Sequence, residues 1–132
     1  MITDLAIIAG GRGTRLGLKD IPKPMVKAGG KPLLEHQINL AKQYSIKNIY
    51  ILSGHLSEVI SDYFGSGEKF GVNITHITEE YLLGTAGAVK QLENRIAGRF
   101  MVFYVDVCLD IDLKSFMDFA REAGSIANII VH

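Results

Sequence analysis

Residues Ile7–Leu16, IIAGGRGTRL, pass directly from an apolar run into a turn with three glycines and two arginines. The run in front of that turn, starting at Leu5, is short, branched and uncharged, which is the signature of a strand buried on both faces. Similar runs recur at Leu5–Ala9, Asn48–Leu52, Val72–Ile77, Phe100–Tyr104 and Ile126–Val131, and each is expected to be a strand. Between them the apolar spacing becomes helical: Leu34, Ile38 and Ala41; Val59, Ile60, Tyr63 and Phe64; Ala86, Val89 and Leu92; Phe116, Phe119 and Ala120. Strands alternating with helices predict an α/β protein with a mostly parallel, doubly wound sheet covered on both faces. Ligands of such sheets collect at the carboxyl ends of the strands. The loops that follow strands are therefore where chemistry is expected.

The composition agrees with a globular domain and narrows the partners. Of 132 residues, 48% are hydrophobic and 21% charged, with 14 basic side chains balanced by 14 acidic ones. Bulk charge therefore does not favour a nucleic-acid partner. The one cysteine, Cys108, forms no internal disulfide, and no Cys/His set has zinc spacing, which fits a reduced, cytoplasmic setting. Nothing in the sequence has the length and apolarity of a membrane span, and the start lacks the pattern of a secretory leader. The chain is expected to be a single domain over residues 1–132, with Gly65, Gly67 and Gly71 marking turns before the third strand. It ends at the last expected strand, where a parallel sheet would need a further loop, so a domain cut short is expected, and an open sheet edge would suit a homodimer.

The opening turn is built to hold an anion. Glycines let successive N–H groups converge on one point, and Arg12 and Arg15 add charge. It is not a P-loop, because no Lys-Ser or Lys-Thr follows a glycine at the required distance. It is not a dinucleotide turn either: Leu16 stands where the third glycine belongs, and Ser53-Gly54-His55 supplies no ribose-binding acid. Downstream, Pro22-Lys23-Pro24 fixes the backbone on both sides of a lysine. A stiffened lysine is suited to a charge that develops at a defined place. Asp106 follows the run Phe100–Tyr104, so its carboxylate is expected at the carboxyl edge of a central strand, a position that suits magnesium. Asp110 and Asp112 stand at the entrance to the last helical stripe and read better as caps. The four histidines have no Ser or Cys partner at catalytic spacing.

On these residues the chain resembles the sugar-1-phosphate nucleotidyltransferases, whose pattern A-G-G-x-G-T-R-L followed by P-K-P stands here as Ala9–Leu16 and Pro22–Pro24. The likeness continues through Gly30–His36 (GKPLLEH), Leu83–Ala88 (LGTAGA) and Asp106, and so runs along essentially the whole chain. It implies the Rossmann-like fold of nucleotide-diphospho-sugar transferases, and a reaction between a nucleoside triphosphate and a sugar 1-phosphate that releases pyrophosphate. Within the family the chain is most similar to guanylyltransferases acting on mannose 1-phosphate or D-glycero-D-manno-heptose 1-phosphate, which favours GTP. The resemblance implies that Ala9, Gly10, Gly11, Gly13 and Thr14 cradle the nucleotide phosphates, and that Glu79, Gly84, Thr85 and Ala86 meet base and ribose. It further implies that Arg15 and Lys23 are catalytic and that Asp106 holds Mg2+. Two departures stand out: Val105 occupies the position where the family has glycine before that aspartate, and the chain is short for the family. A silent nucleotide-binding module of the same fold is therefore an alternative, and the opening turn taken alone also fits a transferase for a non-sugar acceptor.

Overall fold

The computed structural model describes residues 1–11, 17, 19–81, 83–107 and 110–131. Its centre is a parallel sheet of β1 (Asp4–Ile8), β4 (Asn48–Ser53), β5 (Asn73–Thr78) and β6 (Met101–Tyr104), in the order β5-β4-β1-β6. The register puts Leu5 beside Ile49 and Met101, and Ile7 beside Ile51 and Phe103. A small antiparallel hairpin, β2 (Lys27–Ala28) and β3 (Lys31–Pro32), turns at Gly29 and Gly30. Both glycines have positive φ, +58° and +81°, as a two-residue hairpin turn requires. The helices are α1 (Leu33–Gln43), α2 (Ser57–Phe64), α3 (Gly84–Lys90) and α4 (Leu113–Ala123). Among the described residues, no helix is long and apolar enough to cross a membrane.

The alternation of each strand separates two cores. Leu5, Ile7, Ile49, Ile51, Ile74 and Phe103 point to one face, where they meet Leu34 and Ile38 of α1, Ile60 and Phe64 of α2, and Leu113 of α4. Ala6, Leu52 and Ile77 point to the other, under Ala88 and the following Leu92. Fully burying a Leu or Ile is worth about 1.5–3 kcal/mol, so the first face carries most of the stability. The division follows from chain direction. The path β1 to β4 to β5 moves one way across the sheet, with α1 and α2 on one face. The connection from β5 to β6 moves back the other way, and α3 lies on the opposite face, as crossovers of one hand require.

Three expectations from the sequence need correction. Ile126–Val131 is not a strand: the chain leaves α4 at Gly124 with φ +63°, and Ile126, Ile129 and Val131 stand 107%, 81% and 84% exposed. Branched residues favour strands only where a neighbour pairs with them and a surface packs against them, and this run has neither among the described residues. In α3 the buried stripe is Ala88 with Leu92, while Ala86 faces out. In α4 the stripe is Leu113, Phe116, Met117 and Ala120, and Phe119 is exposed. Asp112 caps α4 as expected, accepting from the N–H groups of Lys114 at 3.0 Å and Ser115 at 3.3 Å.

Candidate functional site

The described residues singled out in the sequence fall along the carboxyl edge of the sheet. Strand order reverses around β1, with β4 and β5 on one side and β6 on the other, so the turn leaving β1 lies between the loops that follow its neighbours. Ala9 still belongs to the sheet, donating its N–H to Leu52 O at 2.8 Å, and its side chain is buried. Gly10 is exposed, and Gly11 has φ +120°, a conformation that side chains disfavour. The turn therefore leaves the sheet with its backbone accessible at the carboxyl edge. Gly13, Thr14 and Arg15 lie outside the described residues.

On the β6 side, Lys23 Nζ donates to Asp106 Oδ2 at 2.9 Å. Both side chains are partly open to solvent, 33% and 49% exposed. Each partner is presented by a rigid local structure. Pro22 and Pro24 are buried around Lys23, and a tight turn over Lys23–Met25 is closed by Met25 N–H to Pro22 O at 2.8 Å. Asp106 sits in the turn just past β6, after Val105 N–H has paired with Ile8 O at 3.1 Å. The hydrogen bond from Lys23 holds the Asp106 carboxyl below its ordinary pKa, against an opposing push from partial burial. Val105, which the family pattern marks as glycine, is 5% exposed in the main core, and its φ is not positive. A branched residue is thus accommodated here without backbone strain.

On the β4–β5 side, Glu79 follows β5 and donates its N–H to Ser53 O at 2.7 Å. Its carboxylate faces the opening turn: a Cβ built on Gly10 would lie 3.9 Å from Glu79 Oε2. Burial raises the Glu79 pKa, and the Leu83 backbone N–H partly opposes that shift. Gly84 opens α3 with φ +69°, followed by Thr85 and Ala86 on the exposed first turn. Thr85 Oγ1 accepts from Tyr104 Oη at 3.1 Å, so the start of α3 is joined to the end of β6.

One residue of the neighbourhood was not singled out from the sequence. Gln37 of α1 is 5% exposed and donates to the carbonyls of Tyr104 at 2.6 Å and Val107 at 3.0 Å, on either side of Asp106. A signal was present, because Gln37 interrupts the apolar stripe of Leu34, Ile38 and Ala41, and a polar residue on a buried stripe needs partners. The three histidines among the described residues take no part in this cluster: His36 bonds Ala28 O, His76 bonds Gly65 O, and His55 is exposed.

The arrangement offers a backbone turn, a cation and a carboxylate at one sheet edge, with a second carboxylate beside the same turn. A family model described as nucleotidyl transferase matches residues 5–132. A UTP–glucose-1-phosphate uridylyltransferase of Synechocystis sp. is 34% identical over 138 residues, covering 94% of this chain and 36% of that protein. A D-glycero-alpha-D-manno-heptose 1-phosphate guanylyltransferase of Campylobacter jejuni is 38% identical over 110 residues, covering 82% and 49%. The crystal structure of HddC from Yersinia pseudotuberculosis superposes with a TM-score of 0.81 at 32% identity, over 90% of this chain and 54% of that one. The chain thus spans between about a third and a half of the length of these relatives.

Proposed function

The chain belongs to the nucleotidyl transferase family, and from that premise we propose that it is the nucleotide-binding part of a sugar-1-phosphate nucleotidyltransferase. The reaction joins a nucleoside triphosphate, GTP in preference, to a sugar 1-phosphate of the mannose or manno-heptose type and releases pyrophosphate. The observation that carries this reading is the Lys23–Asp106 pair, 2.9 Å apart at the carboxyl edge beside the glycine turn of β1.

In the proposed reaction a sugar-phosphate oxygen attacks the α-phosphorus in line, the bond to the β-phosphate bridging oxygen breaks, and pyrophosphate leaves with that electron pair. The main demand is to bring two polyanions together and neutralise charge as it develops. The backbone of Ala9, Gly10, Gly11 and Gly13, with Thr14, cradles the phosphates, and Arg15 neutralises the triphosphate. Lys23, fixed between buried prolines, holds its charge at the reacting phosphate without a reorganisation cost during the reaction. Glu79, Gly84, Thr85 and Ala86 form the base and ribose side.

The donor set near Lys23 fits a magnesium ion held chiefly by substrate. Among the described residues no three His, Cys, Asp or Glu side chains cluster as a protein-only metal cage. One ionised carboxylate, Asp106, is what Mg2+ accepts when phosphate oxygens and water complete its shell. Bound there, the ion supplies Lewis-acid stabilisation of phosphate charge. With such an ion and the nucleotide bound, Asp106 would hold the cation and Lys23 would contact the phosphate.

Pyrophosphate release, measured with four nucleoside triphosphates against a panel of sugar 1-phosphates and Mg2+, tests the reading. Turnover strongest with GTP and a mannose or heptose 1-phosphate is the expected result. A second reading, a nucleotide-binding module without turnover, draws on the short span of the chain relative to its relatives. It is supported if calorimetry detects Mg2+-dependent nucleotide binding while no pair yields pyrophosphate. Absence of nucleotide binding overturns both.

A further inference from the structure

The turn carrying Asp106 runs from Tyr104 to Val107 and is closed by Val107 N–H to Tyr104 O at 3.2 Å. Gln37 Nε2 donates to the carbonyls at both ends of that turn, Tyr104 O and Val107 O. A single side-chain amide from α1 therefore holds the segment on which Asp106 is mounted. An open cleft of about 400 Å³, lined in part by His36, Leu40 and Gln43 of α1 and by Val105 and Val107, runs beside these bonds.

The same helix is tied to Lys23. Leu33 N–H, at the start of α1, donates to Val26 O at 2.9 Å, and Val26 N–H donates to Lys23 O at 3.1 Å. Both members of the Lys23–Asp106 pair are thus referenced to α1, one through the backbone and one through Gln37. Gln37 Oε1 is buried and has no partner among the described residues, and an unpaired buried acceptor is unfavourable. What glutamine provides is two uncharged N–H donors at the reach needed for two carbonyls.

We infer that Gln37 is a positioning residue of the proposed transferase: it orients the Tyr104–Val107 turn so that Asp106 faces Lys23 and the metal-bound phosphates. The inference rests on the transferase reading for its catalytic consequence, and on geometry alone for its structural one.

Gln37→Met keeps length and apolar bulk while removing both donors; Gln37→Asn keeps the amide but withdraws it by one methylene, and the two are expected to behave alike. Gln43→Met, on the same cleft but exposed, is the control. NMR order parameters of the Asp106 and Val107 amides should fall in both Gln37 variants from about 0.85 toward 0.6, with β1 unchanged. With GTP, sugar 1-phosphate and Mg2+, kcat should fall about tenfold or more and the Mg2+ half-saturation rise about threefold, while KM for the triphosphate stays within about twofold. Unchanged order parameters overturn the inference. So does a loosened turn with kcat and Mg2+ half-saturation within about twofold of the parent, because Gln37 would then be structural only. A parent without turnover on any substrate pair sinks the transferase reading separately, and the order parameters still decide whether Gln37 holds the turn.

Discussion

Replacing Lys23 by methionine separates the pair's contribution to folding from its contribution to chemistry. Methionine keeps most of the apolar stem, and the buried prolines on either side keep the turn. What is lost from the folded protein is one ion pair, 2.9 Å long, whose partners are 33% and 49% exposed. Partly solvated pairs of this kind are worth about 0.2–1 kcal/mol, because water screens the attraction and two side chains lose freedom. For a chain of this size the melting temperature should therefore fall by at most about 4 °C. A preorganised donor acting on charge that appears only in the transition state is worth more, about 2.7–4 kcal/mol, or a factor of about 10²–10³ in kcat. The two magnitudes differ by several fold, so they are separable. Thermal unfolding of both proteins, with steady-state pyrophosphate release under saturating GTP, sugar 1-phosphate and Mg2+, measures both. The reasoning is refuted if kcat changes by less than about threefold, or if the melting temperature falls by more than about 10 °C, which would make the pair a structural element.

Glu79→Gln should raise stability slightly at neutral pH, because burial holds this carboxyl above its ordinary pKa and its charged form is the disfavoured one. The same change should weaken nucleotide binding, read by titration calorimetry, and a variant with unchanged affinity removes Glu79 from the base and ribose side. Asp106 has the opposite sign. Its folded pKa is lowered, chiefly by the hydrogen bond from Lys23, so its stabilising contribution is present above the unfolded value of about 3.8 and is lost as pH falls through the folded one. Denaturant unfolding between pH 5 and the most acidic pH at which the protein still folds should show the wild type losing more stability than Asp106→Asn; parallel curves would contradict this. Gly67→Ala tests a place where glycine is obligatory. At φ +86° an added Cβ would meet Val72 O at 2.6 Å and Ile74 Cγ1 at 2.7 Å, ahead of β5. A loss of about 3 kcal/mol, roughly 12 °C in melting temperature, is expected, and a change under about 3 °C would show that the turn relaxes.

What was legible in the sequence depended on whether a residue's role is local. Four of the five expected strands form, because a run such as Ile49–Leu52 buries itself wherever parallel neighbours exist, and three neighbours of the right kind occur in the same chain. Lys23 and Asp106 lie 83 positions apart, yet each announces itself: one by flanking prolines, the other by following a buried run. The second cue places Asp106 at a strand's carboxyl edge, and a parallel sheet gathers all such edges on one side, whereas the first says only that the Lys23 backbone is held stiffly. Ile126–Val131 misled because branched apolar residues report fitness for a paired, packed surface and not the presence of one. In α3, seven residues with glycines at 84 and 87 offer too little apolar surface to phase a stripe, and the buried side is set by where Leu92 reaches the second core.

Gln37 shows the harder case, in which a residue's role is defined by a partner. Nothing in Gly30–His36 or in the apolar spacing of α1 says that its amide spans to two carbonyls 67 and 70 positions away. Only its place on a buried stripe hints that partners exist. A charged group acting directly on a ligand advertises its chemistry through residue type and backbone context. A neutral group acting through another residue does so only as an exception to a pattern. Buried polar residues that interrupt an apolar stripe are therefore the positions at which a sequence of this fold class repays attention. Each of them implies an acceptor or donor elsewhere, and in a parallel sheet the candidates with free carbonyls are the turns leaving the strands, where ligands also collect.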